Sequence, residues 1–331
     1  MYRPPTRQQW QGRVDKADGE AGYRWHQVVQ LLDLSQPGPV ADRQEKAKVA
    51  MLGFCSDEGV RRNQGRVGAV KGPAAIRKAL ANLAVHFPEE RLGRLYDAGD
   101  VLCTQGNLEG AQEQLAGKVQ DLLANGFFPI LLGGGHEIVY GHYAGLKRHL
   151  GEEGSTRLGL VNFDAHFDLR SFTNGATSGT PFRQILAETP AFQGNFPYLC
   201  LGIQQASNTR ALFETADAHR VQYVYAEQVR IQDLESLSQR LQAFIQPLER
   251  LYVTVDLDVF AAAFAPGVSA PALSGIFPGI ALHLLRELLA SGKVLSLDVA
   301  ELSPDLDQDS RTARLAASII YQVVMSKLNL F

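Results

Sequence analysis

Cysteine is scarce, with three in 331 residues, and Cys55, Cys103 and Cys200 follow no CxxC spacing. Neither a disulfide framework nor a cysteine zinc site is suggested, and a reducing, cytoplasmic setting is expected. No apolar run approaches the ~20 residues a membrane-spanning helix needs, and the opening MYRPPTRQQWQGRVDKADGE has no apolar signal core. Neither export nor a membrane partner is expected. Charge of one sign is also lacking: the formal net charge is -3, with no basic field to recruit nucleic acid and no acidic tail. The expected partner is a small molecule. The sequence has no GxSxG elbow, phosphate-binding glycine loop or dinucleotide fingerprint, and His136-Glu137 is followed by His142 at the wrong spacing for HExxH. Those absences count against serine hydrolases, nucleotide-binding enzymes and zincin proteases.

What is present is a large apolar fraction, 45 % of the chain, enough for a sizeable core. Residues 1–45 are polar and broken by Pro4, Pro5, Pro37 and Pro39, which predicts an irregular N-terminal extension. Residues 46–331 form the expected single domain. Short apolar runs at 48–54, 127–132, 157–163, 198–203, 221–226, 250–255 and 293–299 alternate there with segments of helical period. Such runs are strands covered on both faces; helices over 73–83, 109–125, 278–290 and 310–327 belong to the crossovers. The pattern predicts an α/β fold, a three-layer α/β/α sandwich with a mainly parallel sheet. The polar stretch 170–195 is expected to be a long loop over a site.

In open α/β sheets ligands collect at the carboxyl ends of strands. Three predicted strand ends carry metal-ligand residues: His136 in GGGHE, then Asp164, His166 and Asp168 in DAHFD, then Asp256 and Asp258 in DLD. Each has an ordinary reading alone, His136 as a hydrogen-bonded core residue and the Asp256–Asp258 pair as helix caps. Four carboxylates buried together without a cation would be prohibitive, because each loses hydration and each raises the pKa of the others. A pair of divalent ions resolves the conflict, and oxygen-rich donors with a minority of imidazole favour manganese over zinc. Two such ions lower the pKa of a water between them, so hydrolysis is the expected reaction class. His26, His86, His142, His149, His219 and His283 lie in helix-like or irregular surroundings and are not assigned to the metal.

GGGHE, NFDAHFD and VDLDVF resemble the three metal motifs of the ureohydrolases, a family that includes arginase, agmatinase and formimidoylglutamase. The resemblance runs from about residue 50 to the end of the chain. It implies an arginase-like fold, a homo-oligomer, and two Mn2+ per subunit held by His136, Asp164, His166, Asp168, Asp256 and Asp258. It further implies catalytic roles for Asp168, beside the nucleophile, and for Glu301 of AELSPDLD, the carboxylate that pairs with a cationic substrate head.

DEGVRRNQGRVGAVKGPAAIR, SGTPF at 178–182 and LGIQQASNTR at 201–210 resemble the formimidoylglutamase branch rather than arginase. Where arginases carry a histidine in the loop after DxHxD, this chain has Thr180-Pro181-Phe182. The implied reaction is hydrolysis of N-formimidoyl-L-glutamate to L-glutamate and formamide, a step of histidine degradation. Its substrate carries one amidinium and two carboxylates, so donors are needed opposite Glu301. Arg61, Asn63, Arg66, Arg170, Ser178, Gln204, Asn208 and Arg210 are the candidates, arginine being suited to bidentate carboxylate binding. Agmatine or another guanidino compound is the alternative substrate. A metal-binding scaffold without activity is the alternative from another class, and the intact ligand set argues against it.

Overall fold

The computed structural model describes residues 1–36 and 48–328; residues 37–45 of the expected extension, with Pro37 and Pro39, lie outside them. Among the described residues ten strands form one sheet: β1 (Tyr2–Arg3), β2 (Gln30–Leu31), β3 (Lys48–Cys55), β4 (Leu95–Leu102), β5 (Phe127–Leu132), β6 (Leu158–Phe163), β7 (Tyr198–Ile203), β8 (Gln222–Tyr225), β9 (Arg250–Asp256) and β10 (Val294–Ala300). Their order is β1-β4-β3-β5-β10-β9-β6-β7-β8, with β2 also on β4. Every pairing is parallel except that of β1 with β4.

Alternation along each buried strand sends neighbouring side chains to opposite faces. Val49 and Met51 of β3 join one apolar core, while Ala50, Leu52 and Phe54 join the other. The first core is covered by α1 (Trp25–Val28), α3 (Gly72–Ala81), α8 (Leu234–Ile245), α9 (Pro278–Ala290) and α10 (Arg311–Lys327). The second is covered by α4 (Leu108–Ala124), α5 (Ile138–Ser155), α6 (Pro181–Glu188) and α7 (Arg210–Ala218), and a short α2 (Glu58–Arg62) follows β3. The expected three layers are thus present, and the expected strands and helices recur within a few residues of their predicted bounds.

Three expectations need correction. The first 36 residues are not merely an irregular extension: β1 and β2 add to the sheet edge, and Trp10 and Trp25 are buried in the first core. Aromatic burial overrides the local polar and proline-rich pattern. The stretch 170–195 is not one loop either, since Pro181 starts α6 and Phe182, Ile185 and Leu186 turn its apolar stripe into the second core. Strand β4 was not expected at all, because LYDAGDVL carries Asp97 and Asp100 at buried positions.

Those aspartates are matched by Arg77 on α3, which is fully buried. Its guanidinium donates to Asp97 Oδ2 at 2.9 Å, Asp97 Oδ1 at 2.8 Å, Asp100 Oδ1 at 2.6 Å and the Gly99 carbonyl at 2.8 Å. Trp10 Nε1 donates to Asp97 at 2.6 Å and Arg3 to Asp100 at 2.7 Å, so the N-terminal segment closes the cluster.

The topology places the site. β5 leads the chain to one half of the sheet, β6 to β8 build the other half outward, and β9 and β10 return to fill the middle. Four adjacent parallel strands, β5, β10, β9 and β6, therefore end side by side. Register aligns them: Leu132 lies opposite Val299, Ala300 opposite Asp256, and Val255 opposite Phe163. Each of these strand ends is followed by, or consists of, a candidate functional residue.

Candidate metal centre

The turn after β5 approaches its surroundings too closely for any side chain. A Cβ on Gly134 would lie 1.8 Å from the Ser56 carbonyl oxygen, and the Gly134 carbonyl accepts from Glu301 N at 2.8 Å. Glycine there lets the backbone carry His136 over the end of the sheet. Gly134→Ala is expected to cost about 1–3 kcal/mol of stability, read by urea unfolding, and to weaken manganese binding measured on the same protein.

His136 Nδ1 lies 2.7 Å from Asp168 Oδ2, 3.2 Å from Asp164 Oδ2 and 3.4 Å from Asp256 Oδ2. His166 Nδ1 lies 3.1 Å from Asp258 Oδ2 and 3.5 Å from Asp164 Oδ1. Two groups of candidate ligand atoms result, His136–Asp164–Asp168 and Asp164–His166–Asp258, each within 4.8 Å, and Asp164 turns one oxygen to each. The capping role allowed for DxD also holds, since Asp256 Oδ1 accepts from Asp258 N at 2.8 Å; Asp164 Oδ1 accepts likewise from His166 N at 2.7 Å. These bonds aim the remaining oxygens inward.

The electrostatics mark a place for cations. Burial first, then Asp258 and Asp164, drives the Asp256 carboxyl well above its usual range, and burial with Asp164 pushes Asp168 up to about 6. Burial opposes charge on His136, yet Asp256, Asp164 and Asp168 hold its imidazole well above its ordinary value. Asp258 Oδ1 is buried with no hydrogen-bond partner. A cluster that must borrow protons to lower its own repulsion, with an acceptor left over, fits two divalent ions. His136, Asp164, Asp168 and Asp256 suit one and Asp164, His166 and Asp258 the other.

His136, His166, Asp168, Asp256 and Asp258 line a cleft of about 390 Å³ that also contains Glu301, Arg170, Asn63, Arg66, Ser178 and Asn208. Glu301 follows β10 and its Oε1 accepts from His136 N at 2.8 Å; burial and the nearby Glu137 push its carboxyl up to about 8. Asp168 and Glu301 both take positive φ, 50° and 70°. Arg170 lines the cleft, its side chain making no hydrogen bond or ion pair among the described residues, and its stem packs where a side chain on Gly179 would go.

Other candidate donors are engaged elsewhere. Arg61 forms a two-pronged pair with Glu58 and Arg210 an exposed pair with Glu214, and neither lines the cleft. Gln204 lies outside it too, next to Asn208. The side chain of Asn208 is saturated: Oδ1 accepts from Phe167 N, while Nδ2 donates to the carbonyls of Ala165 and Gln204. It holds the Asp164–Asp168 turn in place rather than offering a free donor. Arg66 reaches the cleft wall but donates to the carbonyls of Val268 and Ser269.

Sequence reasoning missed Gln64, Ser207 and Ser269 in the cleft wall, and Asn162 and Thr254 behind the ligands. The last two had a legible signal, each lying two residues before a ligand aspartate at the end of its strand, Asp256 within β9 and Asp164 one residue beyond β6.

Residues 47–326 match the arginase family, and the chain belongs to it. Among its relatives, the enzyme named formimidoylglutamase in Aeromonas hydrophila is 48 % identical across 98 % of this chain and 99 % of its own length. The one so named in Geobacillus thermodenitrificans is 43 % identical across 98 % and 97 %. A crystal structure of Trypanosoma cruzi formiminoglutamase with Mn2+ superposes at a TM-score of 0.74, with 28 % identity over 87 % of this chain and 97 % of that one.

Proposed function

We propose that the protein hydrolyses N-formimidoyl-L-glutamate to L-glutamate and formamide at a two-manganese centre, a step of histidine degradation. The observation that carries the reading is the cleft itself. An acidic metal-ligand cluster and the carboxylate of Glu301 face the one end of a substrate that is cationic, while the guanidinium of Arg170, unpaired among the described residues, faces the same space. The names of relatives that match nearly full length support the same substrate. With this reading go the cytoplasmic location and homo-oligomeric state expected from the sequence; among the described residues no helix is long and apolar enough to cross a membrane.

When bound, two Mn2+ lower the pKa of a water and stabilise charge that develops on the attacked carbon's substituents. The residues do the rest. Glu301, anchored by His136 N, orients the amidinium so that its carbon faces Asp168. Asp168 takes the proton shed by the attacking water and hands it to the departing glutamate nitrogen. Arg170 and Ser178 bind the substrate carboxylates at the mouth of the cleft.

Product analysis tests this. Manganese-loaded protein is expected to release glutamate and formamide from N-formimidoyl-L-glutamate and nothing from agmatine, 4-guanidinobutyrate or arginine. Urea from any guanidino compound would replace the substrate assignment. Arg170→Gln is expected to raise KM by roughly 10-fold, the ~1.4 kcal/mol of one charge-assisted contact, with kcat little changed; an unchanged KM would remove Arg170 from the carboxylate site.

A further inference from the structure

We propose that Thr254 and Asp298 are positioning residues that fix His136 as a ligand through Nδ1, so that hydrogen bonds inside the sheet set the affinity of one half of the metal centre. The inference rests on the two-ion reading above.

The direction of the bonds carries it. Nδ1 of His136 faces Asp164, Asp168 and Asp256, while Nε2 lies 3.0 Å from Thr254 Oγ1. Thr254 Oγ1 donates to Asp298 Oδ1 at 2.5 Å. A hydroxyl has one hydrogen, so Thr254, having given it to Asp298, can only accept from His136. The Nε2 proton of His136 is thereby held in place, so that when an ion displaces the Nδ1 proton the lone pair left on Nδ1 would point among the carboxylates.

Asp298 is itself held from behind. Its Oδ2 accepts from Tyr252 OH at 2.5 Å and faces His142 Nδ1 at 2.6 Å, all fully buried. Ser296 Oγ donates to the Pro129 carbonyl at 2.9 Å, so the same single-hydrogen argument makes it accept from His142 Nε2 at 2.7 Å. With Nε2 protonated, one further proton lies between His142 and Asp298, and the pair is neutral as a whole whichever of them holds it. A neutral pair can be kept inside a sheet where a lone carboxylate could not. The strands supply the alignment: Thr254 lies opposite Asp298 and Tyr252 opposite Ser296 in the β9–β10 ladder, and Asp256 follows on the same face of β9. His142, not a ligand candidate, thus acts on the centre from two side chains away.

The test is a Mn2+ titration of the full chain, with free ion followed by electron paramagnetic resonance and folding followed by thermal melting. Wild-type protein is expected to take up two ions. Thr254→Val, which keeps the shape and deletes the hydroxyl, should weaken one of them by roughly 10–100-fold and leave the ion on Asp164, His166 and Asp258 unchanged. Thr254→Ser should keep both, and Asp298→Asn should weaken the same single ion. Two ions bound by Thr254→Val with wild-type affinity would overturn the inference, as would equal weakening of both. Wild-type protein that takes up no Mn2+ would overturn the two-ion reading itself.

Discussion

Asp164→Asn lowers formamide release at least about 1000-fold at saturating substrate and manganese, the equivalent of roughly 4 kcal/mol of lost transition-state stabilisation. Among the described residues no other side chain belongs to both ligand groups, one oxygen of Asp164 facing His136 and the other His166. Asparagine fills the same space and still accepts from His166 N, which wild-type Asp164 does at 2.7 Å, so the turn survives while the charge is lost. A second reading follows on the same protein. Ligand binding stabilises a fold by about 2.7 kcal/mol at a concentration 100 times Kd, so manganese raises the melting temperature of the wild-type chain and hardly moves that of the variant. Normal turnover by Asp164→Asn, or an undiminished manganese-dependent shift, would remove Asp164 from the centre.

Arg77→Met destabilises the protein by about 3–5 kcal/mol, the penalty for leaving buried charges without their partner. Asp97 and Asp100 remain inside when Arg77 goes, and Trp10 and Arg3 satisfy only part of their acceptor capacity. The sign of the pH dependence follows. Against burial, Arg77 and Arg3 hold the Asp100 carboxyl below its usual range. A depressed carboxyl contributes stability that is present above its unfolded pKa and is lost as pH falls through the folded one. The gap between wild type and Arg77→Met is therefore full at neutral pH and narrows below about pH 4. Urea midpoints at pH 7 and pH 3.5 check this; a gap that stays constant would mean the cluster is held by shape and not by charge. Arg77→Lys restores the charge without the fork and should recover only part of the loss.

The metal ligands were legible because they are local. DAHFD and DLD set their residues a fixed few positions beyond strands that are apolar on both faces, and parallel topology then brings separate strand ends together. Strand β4 was illegible for the opposite reason. Its two buried aspartates look like surface residues until Arg77, 20 positions before Asp97 in the chain, is known to face them. The substrate contacts divide the same way. LGIQQASNTR was recognisable as a segment, yet within it Asn208 turns inward to pin a backbone and Arg210 turns out to solvent. Which side of a loop a side chain faces depends on what packs beneath it, and that information sits elsewhere in the chain. Trp10 and Trp25 make the same point for the N-terminal residues, whose polar neighbours concealed two core anchors.

Asp168 and Glu301 hold left-handed backbone conformations that L side chains adopt at a cost, whereas glycine would adopt them freely. Selection for heat resistance alone would thus be drawn to the two places where relaxing the chain erases the chemistry. A library screened for folded protein should accumulate glycine or asparagine at 168 and 301, and a lineage kept under demand for turnover should not. The frequency of such replacements, counted with and without that demand, would map where robustness and work compete in this molecule.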